Sequence, residues 1–462
     1  MTNWIPHLAT DRPRYIAIAD AIAQDLASGI LRIGDRLPPQ RRLAWQLGVT
    51  VGTITRAYQE AERRGLLSGE VGRGSYLRDP QRRSILSHSL AAEPGVLQMH
   101  IAAPPRVHSL KDLDSALDQV KANAARQELL DYGPSAGAAA YRQMGSAWLE
   151  RSEVLASPDQ VVVTAGAHPA LIACLSLLAR RNGHVVTEPL SYPTILPICR
   201  LLGLHLHAAD MDENGIVPQS LEALAKACDA QLVYLVPTLH NPTTITTSEE
   251  RRRAVAELAR RLDLTVIEDD IFRLLSPKPV PPPIFQLAPE RTYYITSLSK
   301  SVAPGLRVGF VATPKGRAEG LALQQMIIGA RVPGLTAEVA RAWMGNGTAE
   351  RTLADIRNEI SMRRLIALNV LGHRNPLCAE GSVFLWLPLP EQWRPGDFAR
   401  AAEVRGVKVT PGSAFAVARR QGDQAVRVCF GIPESREALR GGFEAIERLL
   451  EEEPPESFRV LA

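Results

Sequence analysis

Near the amino end, apolar positions recur three and four residues apart. Tyr15, Ala19, Ile22 and Leu26 mark an amphipathic helix that stops near Gly29. Pro38 and Pro39 open a second helix, with Leu43, Ala44 and Leu47 inward and Gly48 at its end. Thr50 is placed to cap a third, with Ile54, Ala57, Tyr58 and Ala61 inward and Thr53, Arg56, Gln59 and Arg63 outward. Extended stretches at 66–68 and 74–77, separated by Glu70-Val71-Gly72-Arg73, predict a hairpin. Three helices and a hairpin over residues 10–78 describe a winged helix-turn-helix, whose Gly48-Val49 turn presents the third helix to a major groove.

The pattern then changes twice. Residues 79–105, with Arg82, Arg83 and several Ser and Ala, show no sustained periodicity and read as a linker. From 106 to 462, β-branched runs at 161–163, 184–187, 232–236, 265–269, 293–296 and 308–312 alternate with helical stretches such as 169–181 and 248–262. Alternation of this kind predicts an α/β domain with a mostly parallel sheet covered on both faces. The proline-dense segment 277–289 predicts an irregular loop. From about 346 the pattern becomes a long helix, strands near 383–387, 407–409 and 426–429, and a closing helix to 450, a smaller α+β lobe.

Composition excludes some classes. With 45% hydrophobic and 22% charged residues, the chain is globular rather than disordered. No apolar run is long enough to span a membrane, and the first residues carry no secretory pattern. Five scattered cysteines without a CxxC pair argue against a disulfide framework or a zinc site and predict a cytoplasmic protein without a metal. The net charge of +4 is uninformative by itself, but its distribution is not. The first eighty residues hold eleven Arg, no Lys and eight acids, a basic excess suited to phosphate contact.

The stretches Gly34-Asp35-Arg36-Leu37-Pro38, Arg41-Arg42-Leu43-Ala44, Leu47-Gly48-Val49-Thr50, Thr53-Ile54, Ala57-Tyr58 and Gly72-Arg73-Gly74-Ser75 resemble the GntR family of DNA-binding domains. The resemblance implies operator contacts from Arg41, Thr50, Thr53, Arg56, Arg73 and Gly74. Two positions depart from the family: Pro39 stands where a Ser is common, and Val51 where an Arg often heads the recognition helix.

Chemistry-bearing residues follow in a telling order. Lys300 lies in Ser297-Leu298-Ser299-Lys300 after a predicted strand, with Arg307 beyond it. A lysine that condenses with an aldehyde needs its charge disfavoured, and hydroxyls with a guanidinium fork can hold a phosphate. Asp269 ends a strand, where a carboxylate can keep a pyridinium protonated or simply cap a helix. Asn241-Pro242 follows a strand and offers an amide to a phenolic oxygen, or a plain turn. Gly166-Ala167-His168 opens a helix whose N–H groups can hold phosphate. Tyr192 can stack on a ring or fill a core. Arg427, within an apolar strand, wants a carboxylate, from a ligand or from the protein.

Together these residues, from about Tyr132 to the carboxyl end, resemble the fold-type I aminotransferases. That resemblance implies pyridoxal 5′-phosphate joined to Lys300 as a Schiff base, Asp269 at the pyridinium and Asn241 at the ring oxygen. It also implies Tyr192 stacked on the ring, Gly166, Ala167, Ser297 and Arg307 around the phosphate, and His168 and Ser299 among the cofactor-binding residues. Arg427 would take an effector carboxylate, and Tyr132 would reach the phosphate of a neighbouring subunit. One position departs: the family usually has a tyrosine shortly after the aspartate, and here Phe272 stands.

A GntR-like reader linked to an aminotransferase-like domain resembles the MocR family of bacterial transcription regulators. The resemblance implies a homodimer that binds operator DNA and senses a small amine or amino acid through an external aldimine. A catalytically active aminotransferase carrying a DNA-binding module is the competing reading.

Overall fold

The computed structural model describes residues 4–6, 13–27, 30–31, 35–63, 66–70, 74–77, 95–417 and 424–454. The chain divides into two compact units, residues 1–90 with 455–462, and residues 91–454.

In the first unit, α1 (Arg14–Ala27), α2 (Gln40–Leu47) and α3 (Val51–Arg63) precede a hairpin of β1 (Leu67–Glu70) and β2 (Gly74–Leu77). Ile18, Ile22, Leu43, Ile54 and Ala57 form its fully buried centre. Tyr58 adds its ring there and donates its hydroxyl to the Pro38 carbonyl at 2.7 Å, which fixes the chain entering α2. Gly48 ends α2 in the left-handed region, φ 62°, and Val49 N–H returns to the Ala44 carbonyl at 3.0 Å. Such a stop suits glycine, which has no Cβ to clash. The Thr50 hydroxyl accepts from Thr53 N–H at 3.2 Å and caps α3.

The second unit is built on a seven-stranded sheet. Its strands are β3 (Val161–Thr164), β4 (His184–Thr187), β5 (His205–Ala208), β6 (Leu232–Leu235), β7 (Thr265–Asp269), β8 (Thr292–Ser297) and β9 (Gly309–Ala312), in the order β3-β9-β8-β7-β6-β4-β5. Helices α4 (Ala167–Leu178) and α5 (Pro218–Cys228) are among its crossovers. The strands from β8 through β7, β6 and β4 to β5 are parallel, while β9 runs antiparallel to both neighbours. Only residues 298–308 separate β8 from β9. That is short of the dozen or so residues a parallel crossover takes.

Five of these strands lie where the β-branched runs place them, and β8 extends to Ser297. Strand β5 has no such run: His-Leu-His-Ala alternates, as an edge strand with one wet face does. The linker expected over 79–105 needs correction at its end. Leu97–Gln98 pairs in parallel with Val407–Lys408, and Met99 is fully buried against Gly442 of the closing helix. Residues 95–105 therefore belong to the body, anchored by burial that their weak periodicity does not announce.

The smaller lobe follows α6 (Thr348–Leu371). In it β10 (Phe384–Pro388), β12 (Ala425–Cys429) and β11 (Thr410–Pro411) make a three-stranded sheet, closed by α7 (Arg436–Glu451). No helix among the described residues is long and apolar enough to cross a membrane.

Candidate functional site

Parallel strands bring their carboxyl ends to one edge, the usual ligand edge of such sheets. Strand β7 ends there on Asp269, which is 5% exposed. Its Oδ2 accepts the hydroxyl of Tyr234, from neighbouring β6, at 2.8 Å. Its Oδ1 is buried with no partner among the described residues. Burial pushes the carboxyl up to about 7, so this oxygen is poised to share a proton with a buried N–H.

Strand β8 ends on Ser297, and the helical turn Leu298–Ser301 places Lys300 beside Asp269. Lys300 Nζ donates to the Ala102 carbonyl and lies 5.9 Å from the centre of the Phe272 ring. Loss of solvent, then the positive Arg427 and Arg307, lowers the amine to about 8. A lysine of this kind supplies neutral amine near physiological pH.

Beside it lies a cradle. Helix α4 starts at Gly166, φ 102°, with no side chain capping its N–H groups. A Cβ on Gly166 would sit 2.8 Å from Arg307 Nη2, so only glycine admits the guanidinium here. Arg307 donates to the Ala165 carbonyl at 3.2 Å. Ser299 Oγ is buried without a partner among the described residues, and Ser297 is buried next to it. Helix N–H groups, a guanidinium and hydroxyls together suit a phosphate. Ala167 and His168 begin α4, and the Tyr192 ring meets His168 edge-on at 6.2 Å. Burial also holds the Tyr192 phenol above its ordinary range.

Arg427, on β12, is 4% exposed. It donates to Asn241 Oδ1 and to the His100 carbonyl, each at 2.7 Å, with Phe415 and Phe384 at 4.7 and 5.4 Å. No carboxylate lies within ion-pair distance of it among the described residues, so the ion pair that sequence left open is not its partner. With the Asn241 oxygen taken by Arg427, the amide's NH2 is the end that can donate to a ring oxygen.

Phe272 is buried edge-on against Phe384 at 5.6 Å. The tyrosines nearest in kind to the missing hydroxyl, Tyr234 and Tyr294, give theirs to Asp269 at 2.8 Å and Asp270 at 3.3 Å. Tyr132 is 94% exposed, with the Arg331 guanidinium 5.4 Å from its ring.

In the winged unit, Arg41 and Arg56 are exposed and Thr50 and Thr53 share a hydroxyl contact of 2.9 Å at the head of α3. The Arg56 guanidinium lies 5.8 Å over the Tyr15 ring. Val51 is exposed, an apolar side chain at the tip of the helix. Gly74 opens β2, and Arg73 lies outside the described residues.

The pocket uses groups that sequence reading passed over. The His100 and Ala102 carbonyls are backbone atoms in the supposed linker and carry no side-chain signal. Tyr234, the single polar-tipped residue in the apolar run Leu232-Val233-Tyr234-Leu235, is a candidate from sequence for the hydroxyl that Phe272 lacks, and the structure gives its hydroxyl to Asp269.

Comparison with known proteins places each unit in a family. Residues 100–440 match the model of aminotransferase class I and II, and residues 14–77 match that of the bacterial regulatory proteins of the gntR family. The chain is 29% identical over 457 residues to the uncharacterized HTH-type transcriptional regulator YdeF of Bacillus subtilis, covering 97% of each. It is 27% identical to the HTH-type pyridoxine biosynthesis transcriptional regulator PdxR of Corynebacterium glutamicum, over 79% of this chain and 80% of that one. The kynurenine aminotransferase of Pyrococcus horikoshii shares the fold of the body, with a TM-score of 0.73 at 23% identity over 81% of this chain and 95% of that one. The chain thus belongs to the aminotransferase class I and II family and, with its GntR domain, is a transcription regulator of the MocR type.

Its cofactor is pyridoxal 5′-phosphate. The residues present fit that group: the unpartnered Asp269 Oδ1 matches a ring N–H, and Ser299 Oγ with the Gly166 cradle matches the phosphate.

Proposed function

We propose that this regulator, a cytoplasmic homodimer, reads operator DNA through Arg41, Thr50, Thr53, Arg56, Arg73 and Gly74 and senses a small amine or amino acid at Lys300. Arg427 carries the reading of the effector. A buried guanidinium with only neutral partners is costly, and a ligand carboxylate relieves that cost. Its setting between Phe384 and Phe415 keeps water away and strengthens the pairing.

When bound, the cofactor supplies a carbonyl that captures amines and a ring that withdraws electrons. Lys300 would hold it, its amine kept partly neutral by burial and by Arg427 and Arg307. Asp269 Oδ1 would keep a ring nitrogen protonated, and the NH2 of Asn241 would be free to donate to a ring oxygen. Tyr192 would stack on the ring. Gly166, Ala167, His168, Ser297, Ser299 and Arg307 would hold the cofactor at its phosphate end, and the exposed Tyr132 would complete the partner subunit's site. Effector and operator affinities are then linked reciprocally.

The test uses the full-length, cofactor-loaded protein and DNA from around its own gene. Amino acids and simple amines are screened for a change in the visible cofactor band and in DNA affinity. A compound that moves both supports the proposal; changes of the band that never alter DNA binding refute it. The complete set of Lys300, Asp269 and Arg427 also favours a second reading, transamination, which steady-state keto-acid formation would reveal.

A further inference from the structure

The amino edge of the large sheet, opposite the cofactor residues, carries a second cluster. Strands β4 and β5 run in parallel, and His184 and His205 are the register partners that open them. Strand residues two apart share a face, so His207 stands on the His205 side. His184 Nδ1 lies 2.8 Å from His207 Nε2. The His184 ring stacks on both His205 and His207 with centroids 5.0 Å apart. Crossover α5 returns to this same edge before β6 and ends on Cys228. Ligand atoms of His184, His207 and Cys228 all lie within 4.8 Å of one another, and all three side chains are partly exposed.

We propose that His184, His207 and Cys228 bind a divalent cation of the zinc class. Two imidazoles and a thiol are borderline-to-soft donors that favour such an ion over magnesium or calcium. Metal–nitrogen distances of about 2.0–2.1 Å and a metal–sulfur distance of about 2.3 Å put tetrahedral ligands roughly 3.3–3.6 Å apart, so the His184–His207 pair, now at 2.8 Å, opens slightly within a cluster that already lies inside 4.8 Å. On binding, the proton between His184 and His207 moves to the far nitrogen of its own ring. Cys228 leaves the Leu224 carbonyl, which it meets at 3.0 Å, and releases its thiol proton to solvent. Two neutral imidazoles, a thiolate and the cation leave a site of charge +1, with a fourth position for water or a rotated His205. The bond would tie the sheet edge to the end of α5. Cysteine spacing conceals the set, because its members come from two strands and a helix.

Zinc stoichiometry, measured by dialysis and elemental analysis on the cofactor-loaded protein after chelator treatment, tests the site. One zinc per chain with Kd below about 10 µM is expected, lost at least tenfold in affinity in both Cys228→Ser and His207→Asn. Retention of the cofactor band and of DNA binding shows that the variants fold. Added zinc should also slow alkylation of Cys228 in the unaltered protein, a readout that needs no variant. Absence of binding in this range, equal stoichiometry in both variants, or unprotected Cys228 overturns the proposal.

Discussion

Arg41 and Arg56 of the winged unit stand in water, whereas Asp269 and Arg427 of the body are almost wholly buried and Lys300 partly so. An exposed arginine gains from a phosphate mainly by releasing counterions, a modest and salt-dependent effect for each contact. A buried group without its complement is displaced from its ordinary state: Asp269 is pushed up to about 7 and Lys300 down to about 8. Among the described residues, Arg427 is left with two carbonyl-type oxygens and no carboxylate. The winged surface can therefore lose a residue by degrees, while the buried site should fail abruptly.

The sharpest break should come from Lys300→Ala, which is expected to abolish pyridoxyl labelling after borohydride reduction. Peptide mapping of the unaltered protein should place the label on Lys300. Retained labelling elsewhere would contradict the assignment. Arg427→Leu should weaken an amino-acid effector by about 10–100-fold, the value of roughly 1.5–3 kcal/mol for hydrogen bonds to a charged group, while sparing an amine that has no carboxylate. Equal losses for both would mean that Arg427 acts through packing.

The pH dependence of cofactor capture sharpens the comparison. Only the neutral amine attacks an aldehyde. Because Lys300 is lowered to about 8, capture by the apoprotein should rise with pH and level off just above 8. A rise continuing past 10, as for an ordinary lysine, would show that burial does not tune the amine.

Phe272→Tyr should restore a hydroxyl donor to the ring oxygen and lower the midpoint of the visible-band pH titration by about one unit. Tyr234 and Tyr294 are engaged with Asp269 and Asp270, which is why a clear shift is expected. An unchanged midpoint would mean that the added hydroxyl does not reach that oxygen. Arg56→Ala should have the smallest effect, with the salt slope of operator binding reduced by about one and affinity down roughly fivefold, the cofactor band unchanged.

Periodicity and punctuation determined the three-helix fold, with Tyr58 inward, Thr50 as cap and Gly48 as stop, while its reading of DNA came from the resemblance to the GntR family. These features rest on interactions a few residues apart, which local spacing records. The parallel core of the body was equally legible, since buried β-branched runs such as 265–269 have few other uses. Asp269 and Arg427 stood out because charged residues sit at the end or in the middle of apolar strands, while Lys300 and Asn241 stood out through the order of motifs that resembles the fold-type I aminotransferases. Tertiary structure decided the rest. Only folding joins residues 95–105 to the body and brings the His100 and Ala102 carbonyls to Arg427 and Lys300. It likewise turned Asn241 so that its oxygen meets Arg427, and it gathered His184, His207 and Cys228 at one sheet edge. Backbone carbonyls have no residue identity to read, and contacts across hundreds of residues leave no local period. For those, the packed chain is the first place where the information exists.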